Sequence, residues 1–424
     1  MNPAPKASPA MPGPHLAPRN EDEVRDAVAW AVSERVPLEV RGRGSKAGIG
    51  RPVQAGATLD LSGLSGILLY EPEELVLSAA AGTPLAEVQA ALDAQAQQLA
   101  FEPFQPQALF GAADSGSLGG CLAVNLAGPR RPQAGAARDH FLGARAVSGR
   151  GEIFKTGGRV VKNVTGYDLC KLLAGSHGTL AAMTSVTVKV LPRPKKIRSL
   201  VLFGQEPAAA GGAMRRAMAA PLDVSAAAWL PAGPAGRCGT DRIAGRGRAA
   251  TVLRLEGSAV SVAERCDALR RLLDGAGEME ELHSHNSAAF WAGLRDAAPL
   301  AEPAARPVWR ISLPPSGGPG FLQAAIDGGL LQGGEGFLDW GGGLVWLAVA
   351  AGDAGREDAG AAVLRQLLER HGGGHAMLLR GSEALRRAVP VFQPQAAGLA
   401  ALTERVRAGM DPHGLLNPGR MAHG

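Results

Sequence analysis

The sequence predicts an α+β protein with two packed domains. The chain has 424 residues, of which 46% are hydrophobic, and this is enough to bury two ordinary cores. Its first half alternates strand-like and helix-like segments with three glycine-rich loops, and five of the six tryptophans lie beyond residue 200, which indicates a second core. We expect a disordered arm over residues 1–19, a first domain over 20–196, a second over 200–400, and a segment over 401–424 that returns to the first domain.

The N-terminal part predicts an arm, a helix and a strand. Proline and alanine dominate residues 1–19, which contain no apolar core of the kind that a secretory signal requires. Asn20 is a suitable helix cap, and valines recur after it at i, i+4 and i+8, which predicts a helix over residues 21–34. The strand-like run PLEV follows this helix.

The segment VRGRGSKAGIG, residues 40–50, fits two phosphate-binding patterns. One is the G-x-G-x-x-A turn of a dinucleotide fold, and the other is the Gly-Ser-Lys run of a nucleoside-triphosphate loop. Both need a helix directly after the loop, but glycine and proline precede the strand-like TLDLS and forbid one here. The loop therefore joins two strands. Its backbone N–H groups beside Arg41, Arg43 and Lys46 can form an anion-binding nest, and the alternative is a glycine-rich surface turn.

The remaining pattern predicts further strands, helices and two more glycine-rich loops. Residues 75–81 read as a buried strand, and AGTPLAEVQAALDAQAQQL as a turn and an amphipathic helix. The second glycine-rich loop is DSGSLGGCLAVNLAGPRR, and the third covers residues 175–179 before a strand of alternating valines. The prolines of LPRPKK mark the linker between domains. Later, AAVLRQLLERHGGGHAMLL predicts a helix, a glycine stop and a strand, and AALTERVRAGM predicts a helix with one apolar face.

Positive charge is concentrated in one part of the chain. Residues 130–198 hold 14 basic side chains and three acidic ones, within a chain of net charge +5. Such a segment can attract a dianionic cofactor, an acidic substrate or an acidic partner. Nucleic acid is not expected, because the segment offers few aromatic platforms and no known docking motif.

The three glycine-rich loops, in this order and spacing, resemble the FAD-binding domain of the vanillyl-alcohol-oxidase or PCMH-type flavoproteins. The segments NLAGPRR, RVVKNVTGYDLCKLLAGSHGTL and DPHGLLNPGRM are similar to the FAD-binding subunits of glycolate oxidases. The resemblance implies a PCMH-type bipartite FAD-binding domain over residues 20–196 and a smaller α/β cap domain over 200–400.

In that family the three loops hold FAD, so the resemblance also implies the cofactor contacts. The first loop would hold the pyrophosphate. The other two loops would lie along the flavin and adenosine portions and contact them largely through the backbone. Glycines are needed there because a Cβ would hold the chain away from a flat ring or a phosphate. The tail would bring an amide to the isoalloxazine side. The FAD is expected to be non-covalent, because the first loop has no histidine to tether it. The implied contacts are Arg41, Gly42, Arg43, Gly44, Ser45, Lys46, Ser115, Gly116, Ser117, Gly119, Gly120, Gly178, Thr179, Val186 and Asn417.

The resemblance implies oxidation of a small 2-hydroxy acid, glycolate to glyoxylate, in a complex. The partners would be a catalytic flavoprotein subunit and an iron–sulfur subunit. No metal site is expected, because the four cysteines are scattered and the HSH and HGGGH segments have no further ligands at suitable spacing. No catalytic residue is assigned from the sequence.

Two other functions fit the same residues. One is a free-standing FAD-dependent 2-hydroxy acid dehydrogenase, which would need its own base and a carboxylate clamp such as Arg130 or Arg131. The other is a flavin-holding structural subunit without turnover of its own. Cysteines without disulfide spacing and the lack of a long apolar segment indicate a cytoplasmic protein, or one peripheral to the inner membrane through the complex.

Overall fold

The computed structural model describes residues 13–159, 166–350 and 357–421. The strands are β1 His15–Leu16, β2 Leu38–Arg41, β3 Ala57–Asp60, β4 Ile67–Glu71, β5 Val76–Ala80, β6 Gln97–Gln98, β7 Phe141–Ser148, β8 Ile153–Gly157, β9 Ala181–Lys189, β10 Leu191–Pro192, β11 Lys196–Phe203, β12 Val224–Leu230, β13 Ala250–Gly257, β14 Met279–His283, β15 Val308–Ser312, β16 Glu335–Asp339, β17 Leu344–Ala348 and β18 His375–Arg380. The helices are α1 Glu21–Glu34, α2 Leu85–Ala94, α3 Gln107–Phe110, α4 Leu118–Val124, α5 Arg131–Ala134, α6 Ala137–His140, α7 Leu169–Leu173, α8 Pro207–Ala219, α9 Ala232–Ala235, α10 Asp241–Ala244, α11 Ala259–Leu272, α12 Ser284–Arg295, α13 Gly318–Asp327, α14 Ala361–Arg370, α15 Glu383–Ala388 and α16 Ala397–Met410.

The described part of the first domain contains three sheets. A parallel sheet has the order β1-β3-β2, an antiparallel sheet has the order β4-β5-β9-β7-β8, and β6 and β10 form a separate antiparallel pair. Helix α1 has the predicted bounds, because the Asn20 side chain accepts the N–H of Glu23 at 2.9 Å and so caps the first turn. Residues 42–50 form turns and no helix between β2 and β3, as the glycine and proline pattern predicts.

The predicted disordered arm is too long. Residues 1–12 lie outside the described residues, but His15 and Leu16 form β1, which pairs with Thr58 and Leu59 of β3. The residues just before α1 therefore form a short strand that pairs in parallel with β3. The proline-rich composition does not predict this strand.

The cap domain is built on one eight-stranded sheet. Its strand order is β14-β11-β13-β12-β16-β17-β15-β18, and its pairings are antiparallel. The sequence predicts a smaller α/β domain here, whereas the structure places the larger sheet in this domain with antiparallel strands. One face packs on α8, α11, α13 and α14. The other face packs on α12 and on Ile49, Phe104, Leu109 and Leu126 of the first domain, so the sheet is the wall between the two domains.

The C-terminal segment lies against the first domain. Leu416 pairs in parallel with Leu38 of β2, and the N–H of Leu38 donates to the carbonyl of Leu415 at 2.8 Å. Leu415 and Leu416 are buried in the same cluster as Val24 and Val28 of α1. Helix α16, which leads to this segment, forms as predicted and contains no fully buried residue. Of its apolar face, Met410 is partly buried against the core of the antiparallel sheet, whereas Leu402 is 48% exposed.

Arg380 joins the cap to the first domain through backbone carbonyls. Its guanidinium donates to Leu109 O at 3.0 Å in the first domain and to Ala301 O at 2.7 Å and Leu300 O at 3.1 Å in the cap. The same side chain also reaches the carbonyls of Arg306 and Pro303. Because Arg380 is only 7% exposed, water cannot easily replace its guanidinium as the hydrogen-bond donor to these carbonyls.

Replacement of this clamp should destabilise the contact between the domains. We expect Arg380→Met to lower the free energy of unfolding by about 3 kcal/mol, because buried carbonyls lose charged donors. Arg387→Met is the matched control, since Arg387 is an exposed arginine on α15 whose partner is Glu383. Its effect should stay within about 0.5 kcal/mol. Urea denaturation measures both, and equal effects of the two variants would contradict the clamp.

Candidate functional site

An open cavity lies where the first loop, the start of α4, the third loop and the C-terminal segment meet. The lining residues are Glu39, Val40, Arg41, Gly42, Arg43, Gly44, Ser45, Lys46, Ala47, Leu61, Ala81, Ser117, Gly119, Gly120, Ala123, Val124, His177, Gly178, Ala181, Met183, Asn417 and Arg420. All six predicted residues of the first loop are among them.

The backbone of the first loop is arranged to bind an anion. Within the part of the chain that the structure describes, the N–H groups of residues 42–46 donate to no protein acceptor. The next N–H groups turn back, from Ala47 to Gly44 O at 3.1 Å and from Ile49 to Lys46 O at 3.0 Å. A run of free N–H groups at a cavity is a nest for phosphate or another anion.

Two cations flank this nest in different ways. The Lys46 ammonium donates to the carbonyl of Ser115 at 3.0 Å, and burial lowers its pKa. Arg43 donates to Asp114 at 2.6 Å, and Asp114 also accepts the N–H of Gly116 at 2.8 Å. The partly buried Lys46 ammonium therefore has no hydrogen bond to a carboxylate within the described chain. Arg43, in contrast, connects the first loop to the second through Asp114.

Glycine is needed where the loops touch each other. A Cβ on Gly42 would lie 2.6 Å from the Ser117 hydroxyl, and one on Gly116 would collide with the Ser45 side chain. A Cβ on Gly119 would lie 2.7 Å from the carbonyl of Ala81. These glycines allow the loops to approach each other, a role that the flavin-contact interpretation did not include.

Asn417 fastens the tail to both the first strand and the third loop. Its side-chain carbonyl accepts the N–H of Val40 at 2.9 Å. Its amide N–H groups donate to Val40 O at 3.1 Å and His177 O at 2.8 Å. The amide, which is 2% exposed, has no donor left for a flavin ring carbonyl. The structure therefore gives Asn417 a positioning role, and its contact with isoalloxazine stays a prediction.

His177 lines the cavity beside the tail. Its ring packs edge-on against Phe392 at a centroid distance of 5.1 Å. Burial, and then the charge of Arg420, lower the pKa of His177 to about 3. The imidazole is thus neutral across the physiological range and adds no charge to the cavity.

Some predicted contacts lie away from the cavity. Val186 is 1% exposed in β9, between Ala79 of β5 and Ala144 of β7, so its side chain belongs to the sheet core. The Thr179 hydroxyl donates to Ser176 O at 2.7 Å and faces a neighbouring groove. Ser115 and Gly116 contact the first loop instead of lining the cavity. The side chains of these four residues are therefore engaged within the protein, and their predicted contacts with FAD, which are largely through the backbone, stay predictions.

Three residues at the site were not predicted from the sequence: Asp114, His177 and Arg420. Arg420 donates to Ile49 O at 2.9 Å and lies 3.4 Å from Glu39, so it holds the end of the first loop. All three stand inside segments that the resemblance already marked, but only the fold brings their side chains to one another.

Much of the predicted basic segment is paired within the chain. Arg145 pairs with Glu21, Arg193 with Asp93, and Arg198 with Glu281 at 3.4 Å. Arg150 donates to Gly409 O at 3.0 Å. These contacts fix segments of the fold, so the count of basic residues by itself is weak support for an acidic partner.

Among residues 13–159, 166–350 and 357–421, no group of three or more His, Cys, Asp or Glu side chains is placed to hold a metal ion. The four cysteines are unpaired and buried, and burial raises the pKa of the Cys121 thiol to about 11. No helix in these ranges combines the length and apolar character needed to cross a bilayer.

Conversion of Asn417 to Asp tests its positioning role. A carboxylate there would face the carbonyls of Val40 and His177, so we expect a loss of about 2–4 kcal/mol in the free energy of unfolding. Asn20→Asp is the matched control, because aspartate caps a helix as well as asparagine does. Thermal unfolding and proteolysis of the tail measure the effect. Equal stability of the two variants would show that Asn417 does not fasten the tail.

Comparison with known proteins matches this architecture. Residues 14–157 match the FAD binding domain family. Glycolate oxidase subunit GlcE of Escherichia coli (strain K12) is 36% identical over 401 residues, which cover 93% of this chain and 95% of that protein. Glycolate oxidase subunit GlcD of Bacillus subtilis (strain 168) is 31% identical over 193 residues, which cover 45% of this chain and 40% of that protein.

Solved structures share the fold at low identity. The 4-ethylphenol oxidase from Gulosibacter chungangensis has a TM-score of 0.70 and 15% identity, with 96% of this chain and 89% of that chain covered. The p-cresol methylhydroxylase structure has a TM-score of 0.69 and 15% identity, with 96% and 88% covered. The predicted fold class is confirmed. The chain therefore belongs to the GlcE family of glycolate oxidase subunits, and it is an FAD-dependent oxidoreductase with a PCMH-type FAD-binding domain.

Proposed function

We propose that this chain holds FAD non-covalently as one subunit of a complex that oxidises glycolate to glyoxylate. A catalytic flavoprotein subunit and an iron–sulfur subunit complete the proposed complex, and electrons leave through the iron–sulfur partner. The likeness to GlcE over nearly the whole of both chains supports the subunit assignment. We place the complex in the cytoplasm, or peripheral to the inner membrane.

The observation that carries the proposal is the run of free N–H groups over residues 42–46 at the cavity. FAD contains a diphosphate, and a nest of N–H donors beside a cation binds such a group. Lys46 supplies that cation, since its ammonium has only a carbonyl as hydrogen-bond partner within the described chain. When bound, FAD supplies the redox chemistry, and the residues of this chain bind it and exclude water.

The side chains at the cavity support non-covalent binding. His177 is the one histidine among the described lining residues, and no cysteine or tyrosine lines the cavity. The imidazole of His177 is packed against Phe392 beside Arg420. Cys121 is fully enclosed in the core beneath the antiparallel sheet.

Non-covalent binding predicts that acid precipitation of the protein releases the flavin into the supernatant. Flavin retained in the pellet would contradict non-covalent binding.

The cysteines support a partner that carries the iron–sulfur cluster. Clusters are held by groups of cysteine thiolates. Cys121 and Cys170 lie in the core of the antiparallel sheet of the first domain, whereas Cys266 and Cys238 lie on opposite faces of the cap sheet. Because the four cysteines are dispersed in this way, we assign the iron–sulfur cluster to another chain of the complex.

Gly44→Val tests the nest directly. Gly44 has a φ of +72° and lines the cavity, and a Cβ there would meet no protein atom within 4 Å. We expect a folded protein whose flavin content falls roughly tenfold or more, because the side chain restricts the loop and occupies ligand space. Gly247→Val is the matched control, since Gly247 has a φ of +59° in the cap and a Cβ there also meets nothing. Wild-type flavin content in purified Gly44→Val would refute the assignment.

Reconstitution tests the role in the complex. The purified chain alone should bind flavin but should not reduce an artificial acceptor with glycolate, whereas the complex should. A complex containing Gly44→Val should lose flavin and turnover together, and one containing Gly247→Val should keep both. Flavin bleaching by glycolate in the isolated chain would instead favour a free-standing dehydrogenase. Full turnover by a complex that contains flavin-free Gly44→Val would favour a structural subunit.

A further inference from the structure

Residues of α7 and α16 line one groove on the surface of the protein, and the groove continues along the third loop and the C-terminal tail. Its apolar lining includes Leu172 of α7 and Leu399, Leu402 and Val406 of α16. Leu172 is 46% exposed and Leu399 is 51% exposed, and neither lines the cavity that would hold FAD. We call this feature the α7–α16 groove.

The apolar face of α16 is left uncovered at the groove. Leu399, Leu402 and Val406 follow each other at spacings of three and four residues, which places them on one face of the helix. Within the described chain, none of the three belongs to a hydrophobic core or packs against one. A helix of 14 residues is only marginally stable in water, and Gly398 and Gly409 weaken it further. This face therefore needs a cover that the described residues do not supply.

Positive charge is in excess around the groove. Arg407 is neutralised by Glu404 on the same helix, to which its Nε donates at 2.9 Å. Arg138 and Lys171 have carbonyl partners instead, because Arg138 donates to Ala174 O at 2.9 Å and Lys171 donates to Arg138 O at 2.6 Å. Neither forms an ion pair with an acid of the described chain, and Glu404 is the one acid among the described lining residues. The groove thus presents two cations that no carboxylate neutralises.

We propose that the α7–α16 groove binds a helix of a partner subunit, and that this helix carries an apolar stripe flanked by acidic residues. The stripe packs on the leucines of the groove, as amphipathic helices do in other apolar grooves. Its acids pair with Arg138 and Lys171, which fixes the orientation of the helix. Helix α16 is about 21 Å long at 1.5 Å per residue, so it can contact roughly four turns of the partner helix. This inference rests on the proposed complex, which supplies the partner.

The charges favour a partner subunit over a second copy of this chain. Two α7–α16 grooves placed face to face would bring Arg138 and Lys171 of both copies together, and like charges oppose such an association. The net charge of +5 adds to this repulsion. The shape favours a protein helix over a membrane surface, because the leucines line a groove, whereas an interfacial helix inserts a projecting apolar face into lipid.

Leu402→Glu tests the apolar part of the groove. We expect the flavin-loaded variant to bind the purified partner subunits roughly tenfold more weakly or worse, because a carboxylate would enter the apolar contact. Its flavin content and thermal midpoint should match those of the wild-type chain, since Leu402 is half-exposed and lies outside the FAD cavity. Leu68→Glu is the matched control, because Leu68 is 62% exposed on β4 and does not line the groove. Biolayer interferometry measures the binding of both variants.

Lys171→Glu tests the charged part. We expect it to weaken binding of the same partner subunits roughly tenfold or more, because a carboxylate would face the acids of the partner helix. Binding by the wild-type chain should also weaken as salt is raised, since salt screens the ion pairs. Lys195→Glu is the matched control, because Lys195 is exposed and does not line the groove.

A photoreactive amino acid at position 402 of the assembled complex identifies the occupant. We expect cross-links to a helical segment of a partner subunit that contains both apolar and acidic residues. Cross-links to a second copy of this chain would overturn the proposal, as would binding of phosphatidylserine vesicles that Leu402→Glu abolishes. Assembly by Leu402→Glu and Lys171→Glu at wild-type affinity would overturn this inference alone. Failure of the wild-type chain to bind the partner subunits would refute the proposed complex as well.

Discussion

The site depends on the pairing of the C-terminal tail with β2. One amide, that of Asn417, satisfies both backbone groups of Val40 and the carbonyl of His177. It joins three segments that are far apart in sequence, at the place where the first loop begins. Because the amide is buried, its loss would leave several unsatisfied backbone groups, so the first strand, the third loop and the tail form one cooperative unit.

Close contact between the glycine loops transmits this constraint to the cavity. Gly42 packs on Ser117, and Gly178 has room for no Cβ because Asn417 lies beside it. Arg420 then anchors the far end of the first loop through Ile49 O. With both ends fixed, the free N–H groups of residues 42–46 are held in place before an anion arrives, which lowers the entropic cost of binding.

The sequence predicted local features well because local physics fixes them. Asn20 capped α1 at the expected residue, and the glycine and proline pattern after Lys46 excluded a helix. The sequence does not reveal features that depend on packing between distant segments. The strand pattern around Val186 predicts burial but does not show which surface covers the side chain. The partners of the Asn417 amide also cannot be identified without the fold. Arg131 of the first domain and Arg310 of the cap both lie over the Trp340 ring, so no local pattern contains this contact.

We propose that the C-terminal tail holds the flavin site in a binding-competent form. The most direct measurement is the FAD affinity of a chain that ends at Met410, compared with the full chain by flavin fluorescence and equilibrium dialysis. We expect a marked loss of FAD affinity and bright fluorescence from released flavin, while circular dichroism shows the cap domain still folded. A truncated chain that keeps its flavin with the affinity of the full chain would show that the tail does not hold the site.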